Sequence, residues 1–212
     1  TTVPSWLTFT ASSGALAGTP DNDDVGSHSV VITASDGNGG SVTDSFSIAV
    51  ANTNDAPTIT STAVTSVNED SAYSYTTTAS DVDSGDTVSL ACTTTPSWMS
   101  CTDGAMTGTP LNAHVGAHSV VITASDGNGG SATDTFTVTV ANTNDAPTIS
   151  STAVTSVNED SAYSYTVTTA DDDGDTITLT GTTVPSWLTF TASSGALAGT
   201  PDNDDVGSHS VV

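Results

Sequence analysis

The feature that most constrains this chain is its internal repetition. Residues 1–31 are identical to residues 182–212, and the hexapeptide at 52–57 returns unchanged at 142–147, a shift of 90 residues (142 − 52). A diverged copy of the duplicated stretch begins at Thr93. Self-similarity at a fixed period indicates an array of like units. The repetition therefore predicts modules of about 90 residues arranged in tandem.

The repeat boundaries predict one complete module and two incomplete ones. The complete module is 56–141, the C-terminal part of another module is 1–51, and the N-terminal part of a third is 146–212, with linkers at 52–57 and 142–147. Because the outer pieces lack strands, we expect the chain to be a stretch of a longer array. The alternative is that neighbouring subunits complete each other by strand addition. The duplication disfavours it, since self-completion needs each strand once.

The composition indicates an all-β protein. Thr, Ser and Val dominate, whereas Lys and Arg are absent and Glu is rare, and the former residues favour strands over helices. Seven short strands are predicted in the complete module, at 58–66, 71–76, 86–91, 98–101, 105–107, 118–124 and 133–140. Asp103 and Gly104 between the fourth and fifth suit a hairpin turn. This pattern predicts a seven-stranded immunoglobulin-like sandwich, and the regular recurrence of aromatic residues favours it over disorder.

The charge of the chain excludes several classes of function. The chain has 24 acidic residues, no Lys or Arg, and a formal net charge of −24. Without cationic side chains it has nothing to neutralise a phosphate backbone, so nucleic-acid binding is not expected. No apolar run approaches the roughly 20 residues that cross a bilayer, so membrane insertion is not expected either.

The sequence contains no arrangement that favours an enzyme. No His stands in a triad or metal-ligand spacing, and there is neither a cysteine nucleophile nor a phosphate loop. Pairs of aspartates arise by default in a chain this acidic, so they are poor evidence for glycoside hydrolysis. Trp6, Trp98 and Trp187 recur once per module. Each could form a sugar-stacking platform or pack as a structural residue. Recurrence in every module favours the structural role.

The two cysteines, Cys92 and Cys101, lie on either side of a Pro-Ser-Trp stretch. The equivalent positions elsewhere hold Gly181 on one side and Phe9 or Phe190 on the other, so both positions changed together. Paired replacement favours a disulfide over two small buried thiols. A disulfide would indicate an oxidising compartment.

An ordered set of short motifs resembles a known family. The module is similar to cadherin-like domains, specifically to the dystroglycan-type cadherin-like modules of large bacterial surface proteins. The motifs are 67–70 (Val-Asn-Glu-Asp), 79–85 (Ala-Ser-Asp-Val-Asp-Ser-Gly), 96–98 (Pro-Ser-Trp), 108–110 (Gly-Thr-Pro), 124–127 (Ala-Ser-Asp-Gly) and the linker. The resemblance covers the whole chain. It implies tandem sandwiches placed end to end with Ca²⁺ between them.

The resemblance implies calcium ligands from the base of one module, the linker, and the top of the next. For the first joint these are Asp21 and Asp23, then Asn52, Asn54 and Asp55, then Asp81, Asp83 and Asp126. For the second joint they are Glu69, then Asn142, Asn144 and Asp145, then Asp172 and Asp173. Glu159, Asp202 and Asp204 repeat the base positions in the third module.

The sequence departs from the family pattern in ways that distinguish the joints. Asn52 replaces a leading carboxylate, and Ala56 offers only its carbonyl group. Leu111 and Ala113 stand where the first module has the carboxylates Asp21 and Asp23. We therefore expect one joint to bind calcium well and the next one weakly. Calcium is also favoured by chemistry alone, because clustered carboxylates without cationic partners repel unless a cation joins them.

The sequence therefore predicts a structural segment of a long extracellular or cell-surface fibre or adhesin, stiffened by calcium at its joints and suited to cell adhesion or a biofilm matrix. Neighbouring copies of the same repeat are its expected partners. The alternative is a glycan- or protein-binding module of a larger secreted protein, with surface glycans or host proteins as partners.

Overall fold

A computed structural model describes all 212 residues. The chain divides into two compact units. The first comprises Thr1–Ser66, Ala72–Thr109 and Ala117–Thr139, and the second comprises Val67–Ser71, Pro110–Gly116 and Val140–Val212. Each linker therefore lies wholly within one unit, the first linker in the first unit and the second in the second. The secondary structure consists of strands and three short 3-10 helices, so the fold is all-β, as predicted. No helix is both long and apolar enough to cross a membrane.

The first incomplete module consists of two antiparallel hairpins. β1 (Leu7–Thr10) pairs with β2 (Ala15–Gly18), and the long strands β3 (Gly26–Ser35) and β4 (Ser41–Val50) pair along their full lengths. A 3-10 helix, Asn22–Asp24, lies between the hairpins.

The complete module contains nine strand segments. They are β5 (Thr58–Ile59), β6 (Ser66–Asn68), β7 (Tyr73–Thr76), β8 (Ala79–Ser80), β9 (Ser89–Thr94), β10 (Met99–Thr102), β11 (Ala105–Gly108), β12 (Gly116–Ser125) and β13 (Ser131–Ala141). The sheets have the orders β10-β11-β7, β6-β13-β12-β9 and β5-β8. A 3-10 helix, Asn112–His114, precedes β12. This arrangement is an immunoglobulin-like sandwich.

The count of segments exceeds the predicted seven by two, because the first predicted strand is divided and because the short strand β8 was not predicted. Its start, β5, pairs with β8, whereas its continuation, β6, joins β13 in the four-stranded sheet. The edge strand thus changes sheets, which the alternation of side chains does not reveal. The predicted hairpin between β10 and β11 forms, with Asp103 at φ 48° and Gly104 at φ 77°. Two positive φ angles are the geometry of a type I′ turn.

The core of the first unit lies between the facing strands. Met106, Val120, Ile122 and Val138 are fully buried, and buried positions alternate along β12 because successive side chains point to opposite faces. The recurring indoles pack against aromatic neighbours. The ring centroid of Trp98 lies 5.7 Å from that of Tyr73 and 5.9 Å from that of His118, both edge to face.

The third module repeats part of this architecture within the second unit. Its strands are β14 (Thr148–Ile149), β15 (Tyr163–Thr166), β16 (Thr169–Ala170), β17 (Leu188–Thr191) and β18 (Ala196–Gly199), followed by a 3-10 helix, Asn203–Asp205. The sheet β15-β18-β17 has the same order as β7-β11-β10. Tyr163 also makes the same edge-to-face contact with Trp187, at 5.9 Å.

A disulfide joins Cys92 on β9 to Cys101 on β10, and thereby the four-stranded sheet to the three-stranded one. The third module fills the same place differently. A Cβ atom added at Gly181 would lie 2.9 Å from Cδ1 of Phe190, so the ring rests against the glycine backbone. Gly181 and Phe190 are thus a packing substitute for the disulfide, which explains why both positions differ together.

Replacing both cysteines by serine should lower the free energy of unfolding by about 2–3 kcal/mol, because the disulfide closes a short loop in the unfolded chain. Calorimetry on the oxidised protein and the double variant measures the loss. A matched variant, Cys92→Gly with Cys101→Phe, carries the residues that the third module has at these positions. It should recover part of the lost free energy of unfolding. If the serine variant melts like the oxidised protein, the disulfide does not stabilise this module.

Candidate metal sites at the module joints

The first linker is held by side chains from both neighbouring modules. Asn22 Nδ2 donates to Asp55 Oδ2 at 2.8 Å, which ties the linker to the 3-10 helix before it. Asn54 Nδ2 donates to Asp126 Oδ2 at 2.8 Å, and the backbone N–H of Asp55 donates to Asp83 Oδ2 at 2.6 Å. Two loops of the following module therefore grip consecutive residues of the linker.

Asp126 organises the loop between β12 and β13. Its side chain is only 3% exposed, and Oδ1 accepts hydrogen bonds from the N–H groups of Asn128, Gly129 and Gly130. A Cβ atom at Gly130 would overlap this carboxylate and lie 2.8 Å from Cα of Ala56, so only glycine fits where the loop meets the linker.

These hydrogen bonds lower the pKa of Asp126. The largest cause is the Asn54 amide, the backbone donors add to it, and burial opposes it. A carboxyl group with a lowered pKa in the folded state contributes stability above its unfolded pKa and loses it as pH falls through the folded pKa. The contribution of Asp126 to the first joint is therefore expected to be lost only in acid.

Three aspartates of one loop come together above the first joint. Asp81, Asp83 and Asp86 each offer a carboxylate oxygen, and these atoms lie within 4.8 Å of one another. Asp83 is only 4% exposed. Its Oδ1, with Oδ2 of Asp81 and Oδ2 of Asp86, is buried and has no hydrogen-bond partner. Buried unpaired carboxylate oxygens are costly, and a hard divalent cation would satisfy all three at once.

The second joint gathers carboxylates from two segments of the second unit. Oxygens of Glu69, Asp70 and Asp145 lie within 4.8 Å of one another. Glu69 is 1% exposed, and its Oε1 accepts the backbone N–H of Thr143 at 2.7 Å. Its Oε2 is buried without a partner. A divalent cation would satisfy this oxygen too, because it is buried and faces other carboxylates without a hydrogen-bond donor.

The pKa of Asp145 is raised, unlike that of Asp126. Burial is the largest cause, and the charges of Asp70, Asp173, Glu69 and Asp172 add to it. A raised pKa in the folded state means that stability is present at low pH and is lost as pH rises through the folded pKa. At neutral pH the second joint thus carries repulsion that a bound cation would remove.

A second loop group repeats the first. Carboxylate oxygens of Asp171, Asp173 and Asp175 also lie within 4.8 Å of one another. The backbone N–H of Asp145 donates to Asp173 Oδ2 at 2.5 Å, as the Asp55 N–H does to Asp83.

Several residues predicted as ligands make other hydrogen bonds or are exposed. Asp21 Oδ1 accepts the N–H of Asp23 and caps the first 3-10 helix, so the contact to the linker comes from Asn22 between them. Asp202 caps the third 3-10 helix through the N–H of Asp204 in the same way. Asn144 Nδ2 donates to the Asp145 carbonyl. The remaining predicted residues are exposed, namely Asn52, Asn142, Glu159 and Asp172.

Sequence reasoning missed four acidic residues in these groups, which are Asp70, Asp86, Asp171 and Asp175. A signal was present for three of them. Aspartates at the first and third positions of a loop, followed by another two or three residues later, can face one centre when the loop turns back. Asp70 carried no such signal, because its direction is set by a left-handed backbone conformation, φ 57°.

Comparisons with known proteins agree with the fold. The family model described as "Putative Ig domain" matches residues 1–51, 56–141 and 146–212. Protocadherin Gamma B2 domains 1–5 share 17% identity, with 94% of this chain and 44% of that chain covered and a TM-score of 0.58. Human CDH23 EC21–23 shares 14% identity, with 94% and 72% covered and a TM-score of 0.58. At this identity the likeness to cadherins shows the fold alone.

A solved endo-fucoidan hydrolase, MfFcnA4 of glycoside hydrolase family 107, is also similar. It shares 25% identity over 100% of this chain, with a TM-score of 0.38. The chain spans only 35% of the length of that hydrolase, and a superposition this loose supports no argument about activity. The comparison with curated proteins gives no match.

Replacing Asn54 by Ala should raise the pKa of Asp126 in calcium-free buffer, because it removes the largest cause of the lowered value. Carbon-13 NMR titration of the carboxyl group measures the shift. Asn144→Ala, the same change at the second linker, is the matched control and should leave Asp126 unchanged. An Asp126 titration that is identical in all three proteins would show that the Asn54 contact does not form in solution.

Proposed function

Because the chain belongs to the "Putative Ig domain" family, we propose that it is a structural segment of an extracellular tandem array whose joints are stiffened by calcium. In this proposal the modules act as rigid spacers, and calcium controls the stiffness of the linkers between them. The disulfide is consistent with an oxidising, extracellular setting. The absence of Lys and Arg also removes every cleavage site of trypsin-like proteases, which suits an exposed filament.

The observation that carries the proposal is the unpaired, buried carboxylate oxygens at both joints. Asp83 Oδ1, Asp173 Oδ1 and Glu69 Oε2 are each buried without a hydrogen-bond donor. The chain has no Lys or Arg that could pair with them. Calcium takes six to eight oxygen ligands, both carboxylates and carbonyls, in irregular geometry. It is therefore the ion that these sites fit best.

Calcium would stiffen the joints because the carboxylates that it would neutralise belong to the groups that hold or include linker residues. At the first joint the linker touches the preceding module through Asn22 and the following one through Asp83 and Asp126. At the second joint Asp145 lies near Glu69 and Asp70 from the loop before β7, and its N–H is bound by Asp173. An ion that neutralises these carboxylates would fix the linker to both sides. Without it, like charges repel one another and loosen the contact.

The same chemistry suits a role in adhesion or in a matrix. Repeats joined by stiff linkers give a rod whose length grows with the number of modules. Neighbouring copies of the repeat are then its first partners. Cadherin structures are among those with the same fold, and homotypic contact between arrays is the corresponding proposal here.

The proposal predicts that calcium immobilises both linkers. In the 212-residue protein the ¹⁵N{¹H} NOE values of residues 53–55 and 143–145 should rise to those of neighbouring strands on adding calcium and fall again with EDTA. Modules on the two sides of a joint should then tumble with one correlation time. Linkers that are equally rigid in EDTA and in calcium would contradict the proposal.

The same titration separates the two joints. The first joint has Asp21, Asn22 and Asp23 at its base, whereas the second has Leu111, Asn112 and Ala113. At the second joint the Glu69 group is also present. We expect its linker to need more calcium, because two carboxylates of the preceding 3-10 helix are missing. Equal calcium midpoints at the two linkers would refute the expected difference in affinity between the joints. They would not contradict calcium binding itself.

A protease specific for glutamyl bonds provides an independent test. The chain has only two glutamates, Glu69, which is buried at the second joint, and Glu159, which is exposed. Calcium should slow cleavage after Glu69 by about tenfold or more, because an order of magnitude needs only 1.4 kcal/mol of added protection. Cleavage after Glu159 is the internal control. Equal slowing at both bonds would show that calcium does not act at the joint.

A further inference from the structure

We propose that Asp86 completes a divalent-cation pocket, formed with Asp81 and Asp83, that one module assembles from a single loop. Asp175 plays the same part beside Asp171 and Asp173. This inference rests on the proposed function, since it concerns the same joints. It adds a ligand that the linker and the preceding module do not supply, and it makes ion binding a property of each module by itself.

The loop backbone is arranged to gather three carboxylates. The N–H of Asp83 donates to Asp81 Oδ1 at 2.8 Å, and the N–H of Asp86 donates to the carbonyl of Asp83 at 3.2 Å. Gly85 has φ 106°, a conformation that side chains disfavour. It lets the chain reverse so that Asp86 faces the first two aspartates, while Val82 between them is exposed.

A hydrogen bond from a second loop orients Asp86. Asn128 Nδ2 donates to Asp86 Oδ1 at 2.9 Å, which leaves Oδ2 buried without a partner. The backbone of Asn128 is itself fixed by Asp126, whose Oδ1 accepts its N–H at 2.7 Å. The loop that contacts the linker through Asp126 therefore also orients the third carboxylate towards the pocket.

The pocket recurs although the loop length changes. Asp171, Asp173 and Asp175 occupy one residue less than Asp81, Asp83 and Asp86, yet both sets bring three oxygens within 4.8 Å. In the shorter loop Asp171 Oδ1 accepts the N–H groups of both Asp173 and Asp175 at 3.1 Å. A third aspartate retained across a deletion indicates that the pocket needs it.

The ligand of this pocket is a calcium-like divalent cation. Asp83 is nine-tenths buried and aims an unpartnered oxygen into the group, so an ion would replace repulsion by coordination. Three carboxylates gathered by an irregular loop suit calcium, which accepts irregular geometry, better than magnesium, which demands an octahedron and keeps its waters. The other oxygen of this residue, Asp83 Oδ2, accepts the Asp55 N–H, so the linker is held beside the pocket.

The variant Asp86→Asn in the 212-residue protein tests the proposal. Asparagine keeps an oxygen for Asn128 and removes the charge. Calcium titration by calorimetry should show one class of sites weakened about tenfold or more, the usual consequence of losing a carboxylate near a metal. Adding Asp175→Asn should weaken a second site. Asp44→Asn, an equal change of charge at an exposed position on β4, should match the wild-type protein.

Melting temperatures separate a ligand from a structural residue. In EDTA, Asp86→Asn should melt higher than the wild type because a repelling charge is gone; in calcium it should melt lower. A loss of stability that is equal in both buffers would overturn the proposal. A calcium affinity that is unchanged in Asp86→Asn would also overturn the proposal. If the wild-type protein binds calcium in that experiment, the proposed function stands. If the wild-type protein binds no calcium, both fail.

Discussion

The structure depends on how a chain without Lys or Arg handles carboxylates that folding brings together. Hydrogen bonds satisfy some of them, as three backbone N–H groups and Asn54 do for Asp126. Others, such as Glu69 and Asp83, keep a buried oxygen with no donor. The chain has no Lys or Arg to neutralise these oxygens, and under the proposed function a cation from solution does so.

Under the proposed function, the joints rather than the modules respond to calcium. The modules have apolar cores of ordinary kind, with residues such as Met106 and Ile122 fully buried. Burial of these apolar side chains stabilises each module whether or not an ion is bound. The linkers bury little apolar surface and are held by polar contacts to charged loops, as in the Asp145 contact with Asp173. A change in calcium concentration would therefore alter how the modules are coupled and leave each sandwich folded.

The sequence predicted the fold well because tandem repeats and alternating strands are local signals. The hairpin at Asp103 and Gly104 followed from its turn residues. The sequence did not predict that the first strand changes sheets, since both parts carry the same residue types. At the joints the resemblance placed Asp81, Asp83 and Asp126 on loops that do meet the linker. It did not identify Asn22 as the bridge, because capping of the 3-10 helix by Asp21 is a local competition between hydrogen bonds.

The most direct measurement is a crystal structure of the 212-residue chain grown with calcium, refined against anomalous data. The account predicts spherical density about 2.3–2.6 Å from Asp83 Oδ1 and from Glu69 Oε2. Each ion should be coordinated by the carboxylates grouped around these atoms. If the same oxygens are instead bonded only to water, or the linkers are displaced from the loops of Asp83 and Asp173, calcium does not hold the joints.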